Sequence, residues 1–267
     1  MHAPETSVTL LEEDRDWATI WLNRPEARNA MSDELVSELQ ALLDYLAERK
    51  DIRGITVRGK GDVYCAGGDL KGFKSNFQNT RTDEEVIEDS SKIGRVFLKI
   101  RAMPQVVVFL VHGAAMAGGL GMAAASDIVI ATQDTRMALT ETAIGIVPAQ
   151  IGRYIVARTG DIKARRIMLT GHRFTALEGK DYGLVDILCA DMAAAEAALG
   201  EIVDGVRRCA PQANAATKKL LEANKRLDDE AMIRYAGEAF ADSVKSDEGR
   251  EGVASFLEKR KPNWVVE

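Results

Sequence analysis

The sequence predicts an α/β fold of mainly parallel strands followed by an all-helical C-terminal region. Two observations carry this reading. Between about residues 8 and 132, short β-rich runs alternate with amphipathic helical stretches, the pattern of helices packed on a parallel sheet. After about residue 193 the strand runs stop and four helical stretches follow in succession. The expected division is a core over residues 1–192 and a helical assembly or lid region over 193–267.

The elements follow in order. "VTLLEEDRDWATIWLN" reads as a hairpin, two β-rich runs around the acidic turn "EEDRD". "SDELVSELQALLDYLAERKD" is the clearest helix. Ser32 is its N-cap, Asp33 and Glu34 occupy the first turn, and Leu35, Leu39, Leu42, Leu43 and Leu46 form one apolar stripe. "GITVRGKG" is a short strand ending in glycine. "TRTDEEVIEDSSKIGRVFLKIRAMP" is a helix that stops at Pro104. A strand over Val106–Val111, a glycine turn, a short helix and the strand "DIVIAT" come next.

Composition sets the outer limits. The chain has 267 residues, enough to bury a sizeable core in one large domain or a domain with an appendage. Its net charge of −6 argues against nucleic acid as a partner, which would need a basic surface. Three cysteines (Cys65, Cys189, Cys209) make neither a disulfide framework nor a zinc site, and no metal is expected. No basic segment leads into an apolar run at the N-terminus, so a cytoplasmic protein is expected.

The stretch "VVVFLVHGAAMAGGLGMAAASD", Val106–Asp127, holds the chemistry. Its freedom from charge suits a membrane span, but His112 and four glycines interrupt it and no basic flank anchors it, so no membrane contact is expected. "GLGMAA" satisfies a dinucleotide-binding pattern. The strand that should follow a full-length helix begins too soon, at Asp127, and Glu141 lies beyond that strand. The third reading is an oxyanion hole, a bare peptide N–H at a helix start aimed at a carbonyl oxygen. "GKGDVYCAGGDLKGF" also leaves a strand region and crosses a glycine pair, so two such exits can converge on one oxygen. Spacing alone leaves this reading level with one of simple close-packed turns.

Several segments taken together resemble a known family. "LNRPEARNAM", "YCAGGDLK", "HGAAMAGGLGMAAASDIVIA", "ETAIGIVPAQIG", "LTGHRFTALEGKDYGLVD" and "FLEKRKPNW" are similar, in order, to motifs of the enoyl-CoA hydratase/isomerase (crotonase) superfamily. The resemblance implies a spiral of ββα turns with a helical C-terminal region, assembled as a homotrimer or a dimer of trimers. It implies an acyl-CoA thioester ligand, an enolate intermediate and a setting in fatty acid metabolism. No cofactor is implied beyond the coenzyme A of the substrate. On the matching positions, the oxyanion donors are the amides of Gly68 and Gly118, and the acid/base group is Glu141. The backbone around Ala27 and Ala66 matches the adenine pocket, and Gly68, Asp69, Leu70 and Lys71 line the pantetheine and thioester path. Lys71, Lys259 and Lys261 are candidates for the CoA phosphates, with a solvated basic face as the alternative. Asp69 and Asp127 are expected to cap loops.

One position departs from the family pattern. Hydratases of this family commonly hold two glutamates, and here the first position is Gly121, within "GGLGMA". Gly121 is expected to face the pocket, where a second carboxylate would stand. "GGLGM" with "ETAIGIVPAQI" looks most like bacterial hydratases of glutaconyl-type CoA esters, such as methylglutaconyl-CoA and isohexenylglutaconyl-CoA. Arg153, Arg81 and Arg95 are candidates to pair with a distal carboxylate. Hydration is favoured over a double-bond shift catalysed by one glutamate. A non-catalytic binding protein of the same fold is the further alternative. His112 is expected to satisfy a turn, and Cys65, without a histidine partner in sequence, is not expected to act as a nucleophile.

Overall fold

The structure, a computed structural model, describes residues 2–69 and 81–265. Strands β1 (Thr9–Asp14) and β2 (Trp17–Leu22) form the predicted antiparallel hairpin. β3 (Gly54–Gly59), β4 (Val106–Val111), β6 (Ile128–Thr132) and β9 (Ile187–Cys189) then add in parallel, giving one sheet in the order β1-β2-β3-β4-β6-β9. A second sheet holds β5 (Ala114–Met116), β7 (Arg136–Ala138) and β8 (Arg173–Thr175) in that order. The chain leaves β4 for β5 and then enters helix α3 (Gly118–Ala124). It leaves β6 for β7 and later enters α4 (Gly152–Thr170). Each pass is a strand in the first sheet, a strand in the second, then a helix. The second layer continues beyond β5 as single parallel bridges, Cys65 to Ala115 and Gly68 to Met31. Repetition of this ββα unit builds the expected spiral.

The helices start where the sequence places their caps. The Ser32 hydroxyl accepts the amide of Leu35 at the head of α1 (Asp33–Ala47). All five leucines of the predicted stripe are buried. A reciprocal capping box between Thr82 and Glu85 opens α2 (Asp83–Ala102). β4 is apolar on both faces because both faces are covered. Val107, Phe109 and Val111 join the main core, while Val108 and Leu110 pack with Ile130, Ala195 and Val206 beneath α6 (Met192–Arg208). The strands β5, β7, β8 and β9 have three residues each, too few for a periodic signal.

The last helices, α7 (Pro211–Ala223), α8 (Asp229–Lys245) and α9 (Asp247–Leu257), follow α5 (Ala176–Tyr182) and α6 and bury almost no apolar side chain. Ile233, Phe240, Phe256 and Leu257 are each at least two-thirds exposed. No helix among the described residues is long and apolar enough to cross a membrane.

One partly buried ion pair latches α7 to the sheet. Lys218 Nζ donates to Asp127 Oδ2 at 2.6 Å and to the Gln105 carbonyl at 2.8 Å. Asp127 Oδ2 also accepts the Val107 amide at 2.8 Å, so Asp127 caps the start of β4 as the sequence suggested. Lys218→Met should destabilise the protein by about 1–3 kcal/mol, less than for a fully buried pair because both partners keep some solvent contact. Adding Asp127→Asn should recover part of that loss. Denaturant titration of the three proteins checks both statements, and an unchanged midpoint for Lys218→Met would contradict them.

Candidate active site

The two glycine-rich exits meet because their backbones are hydrogen-bonded side by side. The Cys65 amide donates to Ala114 at 3.0 Å and the Met116 amide donates to Cys65 at 3.1 Å. On the other side, Met31 donates to Gly67 at 2.8 Å and Asp69 donates to Met31 at 3.1 Å. Gly67 lies between them at φ +97°, where a Cβ would stand 2.9 Å from the Met116 carbonyl oxygen and 3.1 Å from Ala117 Cβ. Only glycine allows both that conformation and that approach.

Ala117 is a non-glycine residue at φ +48° and ψ −124°. Such a conformation costs on the order of 1–3 kcal/mol and persists only where the surroundings fix it. Here the Ala117 amide is fixed to the Ala138 carbonyl at 2.8 Å. The twist presents the Gly118 amide at the first position of α3, where no partner exists within the helix. Neither the Gly68 nor the Gly118 amide donates to an acceptor among the described residues. Both residues, with Ala66, Ala117 and Met31, line one cavity of about 430 Å³.

Glu141 lines the same cavity. It heads a short 3₁₀ turn, Thr142–Ile144, and its carbonyl accepts the amides of Ile144 and Ile146, each at 3.1 Å. The side chain is buried, and Oε2 has no hydrogen-bond partner among the described residues. Burial pushes the carboxyl above the ordinary glutamate range, with its own backbone amide opposing in part. The remaining walls are largely apolar, formed by Ile93 of α2 and by Ile144, Ile146, Val147, Pro148 and Ile151.

Gly121 does not offer the open position that the sequence suggested. It does not line the cavity. A Cβ on it would lie 2.1 Å from Ile151 Cγ2 and 2.4 Å from Ile151 Cβ. The isoleucine therefore fills the space beside Gly121 and presents its own surface to the pocket. Ile151 went unnoticed in the sequence because it falls in a loop without periodicity, and nothing local ties it to Gly121.

Other expected site residues are distributed as follows. Ala27 sits in the 3₁₀ turn Pro25–Ala27, outside the cavity, and is linked to Ala66 through the Ala66 amide, which donates to the Arg28 carbonyl at 3.0 Å. Asp69 accepts both terminal nitrogens of Arg24 at 3.1 Å, which fits the expected loop-holding role. Leu70 and Lys71 lie outside the described residues. Lys259 and Lys261 lie on the exposed C-terminal segment. Arg153 stacks on Tyr154, and Arg95 pairs with Glu88. Arg81 pairs with Asp89, a cavity residue. His112 Nε2 meets the Gly61 carbonyl at 2.9 Å and serves a turn. Cys65 is buried with its thiol pushed up to about 12 by desolvation, so it holds no reactive thiolate. No group of three or more His, Cys, Asp or Glu among the described residues is arranged to hold a metal ion.

The buried carboxyl has a consequence for stability. Its folded pKa lies above the unfolded value, so in that window the folded state keeps a proton that the unfolded chain has released. Stability from this site is therefore lost as pH rises through the window. Glu141→Gln has no proton to release. The melting temperature of Glu141→Gln relative to wild type should be higher at pH 8 than at pH 4. A difference that does not change with pH would contradict the buried, proton-holding carboxyl.

Comparison with known proteins bears on the family. The family model for enoyl-CoA hydratase/isomerase matches residues 12–266. A Bacillus subtilis protein named "Probable enoyl-CoA hydratase" is 31% identical over 262 residues, 96% of this chain and 98% of that protein. Among solved structures, AtuE of Pseudomonas aeruginosa superposes with a TM-score of 0.94 at 40% identity, covering 97% of this chain and all of that one. An enoyl-CoA hydratase/isomerase from Marinobacter aquaeolei gives 0.92 at 32% identity, over 97% and 99% of the two chains. With its spiral core, its paired glycine exits and a family match across nearly its whole length, the chain belongs to the enoyl-CoA hydratase/isomerase family.

Proposed function

We propose that this chain is an enoyl-CoA hydratase in which Glu141 is the single protein acid/base and the amides of Gly68 and Gly118 hold the thioester oxygen. The observation that carries the proposal is the shared cavity. It joins two amides without an acceptor among the described residues, each able to donate to a developing oxyanion, to one buried carboxyl with an oxygen unpartnered among those residues. In the reaction Glu141 takes a proton from water as the water oxygen bonds to C3. The C2–C3 π electrons pass through C2 to the thioester oxygen, giving an enolate held by the two amides. Glu141 then returns its proton to C2 as the carbonyl reforms. Burial raises the carboxyl above its ordinary range, which makes it a stronger base than a solvated glutamate for taking up and returning the proton. No cofactor takes part, since coenzyme A belongs to the substrate.

The acyl group in this proposal is branched and of the glutaconyl type. The resemblance of "GGLGM" and "ETAIGIVPAQI" supports that choice, and the apolar wall of Ile93, Ile146, Val147 and Ile151 suits the carbon branch. The proposed CoA path runs from the backbone near Ala27 and Ala66 along Gly68, Asp69, Leu70 and Lys71. Lys259 and Lys261 are the proposed partners of the CoA phosphates, reaching them across a subunit boundary. The proposed assembly is a homotrimer or a dimer of trimers, in which the exposed Ile233, Phe240, Phe256 and Leu257 become buried.

One observation favours a second reading. Ile151 occupies the space beside Gly121, leaving Glu141 as the unpaired carboxyl on the cavity. A lone carboxyl in an apolar pocket can carry a proton between C2 and C4, which is a double-bond shift without water.

A panel of straight 2-enoyl-CoAs, 3-enoyl-CoAs and glutaconyl-type CoA esters separates the readings. Hydration requires incorporation of oxygen from labelled water, whereas isomerisation gives none. Binding without turnover of any ester would indicate a non-catalytic binding protein. On the preferred ester, Glu141→Gln should lose ~10²–10⁴ in turnover while keeping affinity. Gly118→Pro removes the donor N–H at a helix position that tolerates proline, and a folded variant should lose ~10²–10³. Full turnover by either variant would contradict the assignment. Sedimentation at micromolar concentration should give a trimer or a multiple of three, and a stable monomer would contradict the proposed assembly.

A further inference from the structure

The cavity lining includes a polar pair that the oxyanion chemistry does not use. Ser90 and Gln150 both line the cavity, beside Asp89 and among Val86, Ile93, Ile146 and Val147. Gln150 Nε2 donates to Ser90 Oγ at 3.0 Å. Gly94 stands one helical turn beyond Ser90 on the same face of α2. A Cβ there would lie 2.3 Å from Gln150 Oε1. The carboxamide thus rests on bare helix backbone and is tied by its nitrogen to the hydroxyl one turn away. A side chain at position 94 would displace it.

The hydrogen count of this pair is informative. A serine hydroxyl has one donor hydrogen and a carboxamide has two. One of the three is used in the Ser90–Gln150 bond, and neither residue donates to another acceptor among the described residues. Exchanging the oxygen and nitrogen of the amide does not change this. The bond would then use the hydroxyl hydrogen and leave both amide hydrogens. Either way, two donor hydrogens remain at the cavity wall.

Asp89, the neighbouring carboxylate, does not compete for them. Its Oδ2 is engaged by Arg81, and its Oδ1 accepts Lys92 at 3.0 Å. It accepts from neither Ser90 nor Gln150 among the described residues, and two cations offset its charge, so it presents no uncompensated negative charge to a ligand.

We infer that Ser90 and Gln150 form a polar subsite in the acyl pocket that selects acyl groups bearing a hydrogen-bond-accepting oxygen, as a carbonyl or a carboxylate. This deepens the proposed function and rests on its reading of the cavity as an acyl-CoA site. An apolar acyl group lying against the pair leaves two donors without partners. That penalty discriminates more sharply than the loss of apolar contact does.

The test uses saturated acyl-CoA esters of equal chain length, so that binding is read without chemistry. One probe ends in a methyl group, one carries a ketone near its end, and one ends in a carboxylate. Calorimetry on the wild-type protein should show the ketone, the carboxylate or both bound at least ~10-fold more tightly than the apolar ester. Preference for the ketone alone would identify a neutral carbonyl as the natural group, and preference for the carboxylate would identify an acid. In Ser90→Ala and, independently, in Gln150→Met, the ratio of polar to apolar affinity should fall toward one. Because the ratio is taken within each protein, a general loss of affinity cancels. Equal binding of all three esters by the wild type would overturn the subsite while leaving the acyl-CoA reading standing. A ratio unchanged in both variants would do the same. Failure of the wild type to bind any of the esters would overturn the acyl-CoA reading and the subsite with it.

Discussion

The site depends on a short backbone ladder between two loops that leave neighbouring strands. Cys65 is bonded to both Ala114 and Met116, so the segment after β3 runs alongside β5 as a strand of the second layer. Two amides from chain positions 50 residues apart then open on the same cavity without a side chain to hold either. Backbone donors fixed in this way need no reorganisation when charge develops on a bound oxygen, which is the physical basis of oxyanion stabilisation. The strain at Ala117 is sustained by the bond to Ala138 in β7, so the small second sheet positions the donor as well as completing the fold.

Around this ladder the pocket walls are largely apolar. Burial in an apolar wall raises the Glu141 carboxyl above its ordinary range, and an amide facing that wall acts in a medium of low polarity where its dipole counts for more. Ile151 belongs to the same design. It closes the wall beside α3 and, by packing on Gly121, fills the place where a second carboxylate would stand. The α2 wall is different in character, with a polar pair set into an apolar surface. With the proposed function and the inferred subsite, the pocket would separate chemistry at one wall from recognition at another.

Much of this was legible in the sequence. The leucine stripe of α1, its Ser32 cap, the stop of α2 before Pro104 and the β4 run were visible because long periodic segments and capping residues carry local signals. Gly68, Gly118 and Glu141 were reached through ordered motifs, and the structure brings all three to one cavity. The three-residue strands of the second sheet were not visible, since pairing rather than pattern defines them. Ile151, Ser90 and Gln150 were missed for a related reason. Each acts through a contact with a residue distant in sequence, Gly121 for the first and the opposing wall for the others, and composition carries no trace of such contacts. The C-terminal helices were recognised as helices, but their exposed apolar faces became evident only with the fold.

The central claim is geometric, and a crystal structure of the protein with a bound acyl-CoA thioester tests it most directly. The account predicts the thioester oxygen within about 2.7–3.1 Å of both the Gly68 and the Gly118 nitrogen. It also predicts the Glu141 carboxyl facing C2 and C3 of the acyl group. A thioester oxygen bonded to neither amide, or an acyl group lying outside the cavity that Glu141 lines, would contradict it.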